Sequence, residues 1–394
     1  MSRAEPRPIP TPTLSPILKN PLYNGGMERM SSQRKRALVL AGGGIPGWMY
    51  EIGCLTALDD FFDGFSVNQF DIYVGTSAGA AVAALVANGV PPRRIYNAIR
   101  NSEGNGFNFA RKDIYSFGYR ETFHLLKKLL KSLWPIARRC LRKDQRVSLL
   151  DLLMMLEENL PSGIFTLQNL DDYLTRFLSR DGYSNDFRDL ARELYIPAVD
   201  VDMGRYDVFG EGDFADVPIS RAVIASSAMP ILFQPVRIGN KDYIDGGVSR
   251  VAHMDIAMNH GADLVWIINP VQYIENDRSR GALKSISGKP IGIKDKGLSF
   301  VYDQAMRIST STRLYLAMKR YRSEYPNKSF LLIQPDPSET ALFAHTAIDF
   351  DSRVELLKCG YHSTVTALKT HFDLYQSCLA RYDIRVTLNQ FQTP

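Results

Sequence analysis

The stretch Phe70-Asp71-Ile72-Tyr73-Val74-Gly75-Thr76-Ser77-Ala78-Gly79-Ala80-Ala81-Val82-Ala83-Ala84-Leu85 constrains this chain more than any other. A short apolar run that reads as a strand passes through Gly75-x-Ser77-x-Gly79 into an Ala-rich run that reads as a helix. A Ser on so sharp a strand-to-helix turn takes a cramped backbone conformation, so the residues two positions to either side must lack side chains. The turn lifts Oγ clear of the sheet and aims the first N–H groups of the helix at whatever that oxygen attacks. A bare G-x-S-x-G also fits an ordinary Gly/Ser turn. The strand before it and the small-residue helix after it are the context a nucleophile elbow requires.

A second strand, loop and helix precede it. Ala37-Leu38-Val39-Leu40 is short enough for a buried strand, and it runs into Gly42-Gly43-Gly44-Ile45-Pro46-Gly47. A helix to about Phe62 follows, with Ile52, Leu55, Leu58 and Phe62 at helical spacing; Pro46 fits its first turn, where a missing N–H costs nothing. Gly42-x-Gly44-x-x-Gly47 also matches a dinucleotide-binding fingerprint, but that role needs an acidic residue ending the second strand. Here that strand leads into Ser77 instead. Consecutive glycines beside a nucleophile suit an oxyanion hole, which needs N–H donors already aimed and no side chains in the way.

A Ser hydroxyl is a poor nucleophile until a base takes its proton. The histidines His124, His253, His260, His345, His362 and His371 lie in stretches of ordinary composition, where surface or helix-packing roles are expected. Asp245 ends a short strand and precedes Gly246 and Gly247, which places a carboxylate at an open strand end. Alone, Asp-Gly-Gly is a turn. Beside the elbow and the glycine loop it reads as a base acting directly on Ser77.

The rest of the chain alternates apolar runs with helical stretches, which predicts an α/β fold with a mainly parallel sheet. Strands are expected over 194–201, 206–209, 236–238, 242–244, 264–268 and 329–333. Helices are expected over 148–158, 170–178, 219–227, 298–322 and 353–372, and a mobile loop over 275–297. Residues 1–36 are Pro-rich and then basic, and read as a disordered arm. The stretch from Phe123 to Trp134 predicts a basic amphipathic helix. Its Lys127, Lys128 and Lys131, with Arg138, Arg139 and Arg142 beyond it, suit either an anionic membrane surface or a solvated face of a packed helix. The four cysteines form no C-x-x-C pair, and no apolar run approaches the roughly 18 residues of a membrane span. A reducing, cytoplasmic setting with at most peripheral membrane contact is expected, without nucleic acid.

Gly42-Gly43-Gly44-x-x-Gly47, Gly75-Thr76-Ser77-Ala78-Gly79 and Asp245-Gly246-Gly247, in this order, resemble the patatin-like phospholipases. Ala225-Ser226-Ser227-Ala228-Met229-Pro230-x-x-Phe233 and the later Phe350-Asp351 and Gly360-Tyr361 are similar too. The resemblance covers roughly residues 36–370. It implies a three-layer fold over 37–372, with a helical cap over 93–190 and a C-terminal tail over 373–394. It further implies a Ser77–Asp245 dyad with a Gly42–Gly44 oxyanion loop, acting on lipid acyl esters without cofactor, His or metal. An acyltransferase, a thioesterase or esterase, or an inert lipid-binding scaffold of the same fold are the alternatives. One departure is that members often carry a basic residue where this chain has Ile45 and Pro46, which bears on loop geometry and head-group contacts. The segment from about 105 to 147 has the look of an insertion.

Overall fold

The computed structural model describes residues 34–102, 107, 109–114, 116–117, 162–277, 279, 283, 288–339, 342 and 350–391. The basic stretch with Lys127, Lys128, Lys131, Arg138, Arg139 and Arg142 lies outside the described residues, as do His124, His345 and the helix expected over 148–158.

The centre is an eight-stranded sheet. In chain order its strands and the helices around them are β1 (Lys35–Leu40), α1 (Gly44–Phe61), β2 (Ile72–Gly75), α2 (Ala78–Ala87), α3 (Pro92–Arg100), α4 (Gln168–Leu178), β3 (Glu193–Asp200) and β4 (Arg205–Phe209). There follow α5 (Ile219–Ser226), β5 (Val236–Ile238), β6 (Lys241–Asp245), α6 (Met254–Asn259), β7 (Ala262–Ile268), α7 (Leu298–Glu324), β8 (Ser329–Ile333), α8 (Arg353–Thr370) and α9 (Phe372–Leu379). Spatially the strands run β8-β7-β1-β2-β3-β6-β5, with β4 paired to β3. The pairings from β8 to β3 are all parallel, whereas β4, β6 and β5 add an antiparallel end.

The parallel strands are apolar on both faces because helices cover both. Leu38, Leu40, Tyr73, Trp266 and Ile268 face the layer of α1, α2 and α8. Ala37, Val39, Ile72, Val74, Val265 and Ile267 alternate with them and face α6 and α7. Each fully buried side chain of this size stabilises the fold by about 1.5–3 kcal/mol before entropy is counted. Strand β1 begins at Lys35, so Lys35 and Arg36, read as the end of the arm, belong to the sheet. Arg36 pairs with Asp71 (3.0 Å) at the foot of β2. Past residue 372 the chain forms α9 and then Arg385–Val386, which pairs with Phe62–Asp63 just after α1.

Order reverses at β1: the chain moves from it to β2 and β3 on one side, while β7 and β8 lie on the other. Ligands of open α/β sheets bind at the carboxyl ends of strands flanking such a switch point. In the registers of β1, Leu40 lies opposite both Gly75 and Ile268. The glycine loop after β1 and the turn after β2 therefore emerge side by side.

Candidate active site

Strand β2 ends at Gly75, and Ser77 is the N-cap of α2 with φ 55 and ψ −126. Few non-glycine residues adopt a positive φ, and holding one there costs about 1–3 kcal/mol. Packing fixes it. The Thr76 N–H donates to Leu40 O (3.0 Å) and the Gly79 N–H to Thr76 O (2.9 Å). The Ser77 N–H donates to Ser226 Oγ (2.9 Å), whose own hydroxyl donates to Pro197 O (2.7 Å). A Cβ on Gly79 would stand 2.5 Å from Ala41 O, so only glycine lets α2 start this close to the end of β1. Gly75 is hemmed in likewise by Ala80 and Ala83.

The glycine loop lies against the nucleophile. A Cβ on Gly42 would stand 2.7 Å from Ser77 Cβ and 3.3 Å from its Oγ. Gly43 is the N-cap of α1, so Gly44 opens that helix; Gly47, one turn in, donates to Gly43 O (3.0 Å). The first N–H groups of a helix have no partner within it and carry its positive end. Ile45 and Pro46 are buried in this first turn and bring no charge to the loop.

Asp245 ends β6. Antiparallel pairing sets it opposite Ala198 of β3, and its N–H donates to Ala228 O (3.0 Å). The carboxylate accepts from the Gly247 N–H (2.7 Å), and Gly246 packs on Pro197 O and Thr76. Ser77 and Asp245 are each only 5 % exposed, so both lie largely out of bulk water. Burial pushes the Asp245 carboxyl up to about 6, opposed by hydrogen bonding from the Ser77 hydroxyl and from the Gly247 N–H. A carboxylate poised there is a far better proton acceptor than an ordinary Asp.

The described histidines have other partners. His253 is fully buried beneath the Asp245 turn, where Nε2–H donates to Gly246 O (3.3 Å) and the ring packs edge-on to Tyr206. Burial pushes its imidazole down to about 4, so it is neutral near pH 7. His260 stacks on Tyr195 and bonds its hydroxyl (2.9 Å) and Glu211 (2.8 Å). His362 is exposed on α8, and His371 separates α8 from α9. Two supporting residues lie outside the sequence expectations: Ser226, which accepts from the Ser77 N–H, and His253, which bonds Gly246 O. The Ala-Ser-Ser-Ala run was the one signal for the first, and nothing in the sequence pointed to the second.

The model of the patatin-like phospholipase family matches residues 38–258. That span is more than half of the 394 residues and runs from β1 to α6, taking in the glycine loop, Ser77 and Asp245. The chain belongs to the patatin-like phospholipase family. This patatin-like chain is 22% identical over 232 residues to "Probable lipid hydrolase 463L" of Invertebrate iridescent virus 6, an alignment covering 57% of the chain and 64% of that relative. The chain thus spans less than two thirds of the relative's length. Among solved structures, VipD from Legionella pneumophila is similar at 17% identity and TM-score 0.38, over 86% of this chain and 68% of VipD. The type III effector ExoU is similar at 14% identity and TM-score 0.28, over 88% of this chain and 60% of ExoU.

Proposed function

We propose that the protein is a serine hydrolase of lipid acyl esters that works through an acyl-Ser77 intermediate. The observation that carries this reading is the convergence of Ser77, in its strained N-cap turn, with a buried carboxyl and a helix-capping glycine loop. Asp245 accepts the Ser77 proton as Oγ attacks the ester carbonyl. The N–H groups of Gly42, Gly43 and Gly44 meet the negative charge that develops on the carbonyl oxygen. Asp245 returns the proton to the leaving alcohol as the C–O bond breaks, then takes one from the water that attacks acyl-Ser77. The free fatty acid leaves and the hydroxyl is restored. His253 supports this turn from below through Gly246, and Ser226 holds the Ser77 N–H.

The test is a fluorophosphonate probe together with a panel of phospholipids and neutral lipid esters. Wild type should be labelled and release fatty acid; Ser77→Ala should do neither, with an unchanged fold by circular dichroism. Asp245→Asn should lose nearly as much, and the double variant little more, because members of one catalytic unit are not additive. Hydrolysis by pure Ser77→Ala would overturn the mechanism.

A further inference from the structure

Helix α7 leaves several large apolar side chains facing outward. Its inward face buries Arg307, Thr310, Leu314 and Met318. Leu298, Val301, Tyr302, Ile308, Tyr315 and Leu316 occupy the opposite face and are exposed, Leu298 by 87%. These positions recur at helical spacing with the small Ala305, Ser309 and Thr312 between them, so they share one side of the helix rather than lying scattered around it. Among soluble surfaces, contiguous apolar patches of this kind mark places where something binds.

The stripe adjoins the catalytic loops. Arg313 donates to Val248 O (3.4 Å) and Ser249 O (3.3 Å), just past Asp245-Gly246-Gly247. Ser311 donates to Gln272 (2.9 Å), in the loop whose Val271 and Pro270 pack by Gly43. Val248 is itself exposed, and so is Ile231, three residues beyond the carbonyl that holds the Asp245 N–H. Arg313 thus ties the outward side of α7 to the turn that follows Asp245. Its free charges are mainly positive: Lys294 and Lys296 flank Asp295 before the helix and Lys319 stands near its end, while Asp303 and Glu324 are taken up by Arg307 and Arg320 (2.7 Å each).

We propose that the outward face of α7 is the surface with which the protein lies on an anionic lipid bilayer, bringing Ser77 to its substrate. This rests on the lipid-ester reading above. Apolar side chains enter the acyl boundary while the flanking lysines meet anionic head groups, as in interfacial helices generally. A second copy fits this face worse, since two-fold pairing along the helix sets net-positive ends against one another in either direction.

The full chain with Leu298, Val301 and Leu316 all changed to Asp tests this, because exposed positions tolerate charge. Binding is read by co-sedimentation in a Ser77→Ala background, with phosphatidylcholine vesicles with and without phosphatidylserine. We expect salt-sensitive binding to the anionic vesicles, reduced at least about tenfold in the triple variant. Its unfolding midpoint should hold, as should its hydrolysis of a small soluble ester with Ser77 intact. Equal binding by the variant, or no binding by the unsubstituted protein, overturns the proposal. So does a wild-type dimer that the substitutions split, which makes the face a self-interface. A clear fall in the unfolding midpoint also overturns it, because another part of the chain then covers the stripe. A wild type inert on every ester would instead sink the hydrolase reading alone, since vesicle binding is scored without turnover.

Discussion

Asp245 must be buried enough to hold a high pKa and still ionise near neutral pH. Desolvation raises its carboxyl, while the Ser77 hydroxyl and Gly247 N–H limit the rise to about 6. Since only the ionised form can take the Ser77 proton, kcat/KM on a soluble ester should climb through an apparent pKa near 6 and then level off. Initial rates between about pH 4 and pH 8 check this, and a flat profile there would remove Asp245 as the base. As candidates, Ser77, Asp245 and the glycines are legible in the sequence because turn chemistry is local: a cramped elbow advertises itself through its neighbours. Ser226 and His253 are not. Ser226 touches Ser77 across 149 positions of chain, and His253 reaches its carbonyl partner only because α6 starts beneath the turn. No local pattern encodes either contact.

Helix α1 carries the glycine loop, and α8 holds α1 in place. The two helices meet backbone to backbone. A Cβ on Gly53 would stand 2.2 Å from Leu357 O, and one on Gly360 2.1 Å from Tyr50 O. Neither carbonyl can move without bending its helix, so Gly360→Ala must push the pair apart. Overpacking of this kind costs typically about 1–3 kcal/mol, and a backbone obstacle favours the upper end. We expect a lower urea midpoint with unchanged slope, and a lower kcat because the start of α1 shifts against Ser77. An unaltered midpoint would mean that the contact is slack. Helical spacing marks one apolar stripe of α1 through Ile52, Leu55 and Leu58, yet Met49, Cys54 and Ala57 are equally buried. The missing information is α8, which closes the other side from some three hundred residues away.

At the scale of the molecule, alternating strands and helices are enough to foresee a mainly parallel sheet, while the helical layers on its two faces follow from the family resemblance. The antiparallel end was harder to read. Its strands β5 and β6 have three and five residues, and their direction is set by turns and by pairing to a single long β3 rather than by composition. That end delivers Asp245 to the candidate site, and its burial bears on stability. The Asp245 carboxyl is raised from 3.8 to about 6, so its stabilising contribution is complete below the unfolded value and lost as pH rises through the folded one. His253 is lowered from 6.5 to about 4, so its contribution is present at higher pH and lost as pH falls through that window. The two slopes oppose each other between about pH 4 and pH 6. Buried Glu51, whose carboxyl burial also raises, and Asp59, raised to about 6 mainly by burial, add to the carboxylate side. Asp245→Asn removes one of these terms and leaves His253 in place. Relative to wild type it should therefore change little near about pH 4 and gain about 3 kcal/mol by about pH 7, the worth of a shift of roughly two units. Urea unfolding of both proteins at the two pH values measures that difference directly. A gap that is the same at both would show that the folded carboxyl titrates like an unfolded one, and the buried base would have to be abandoned.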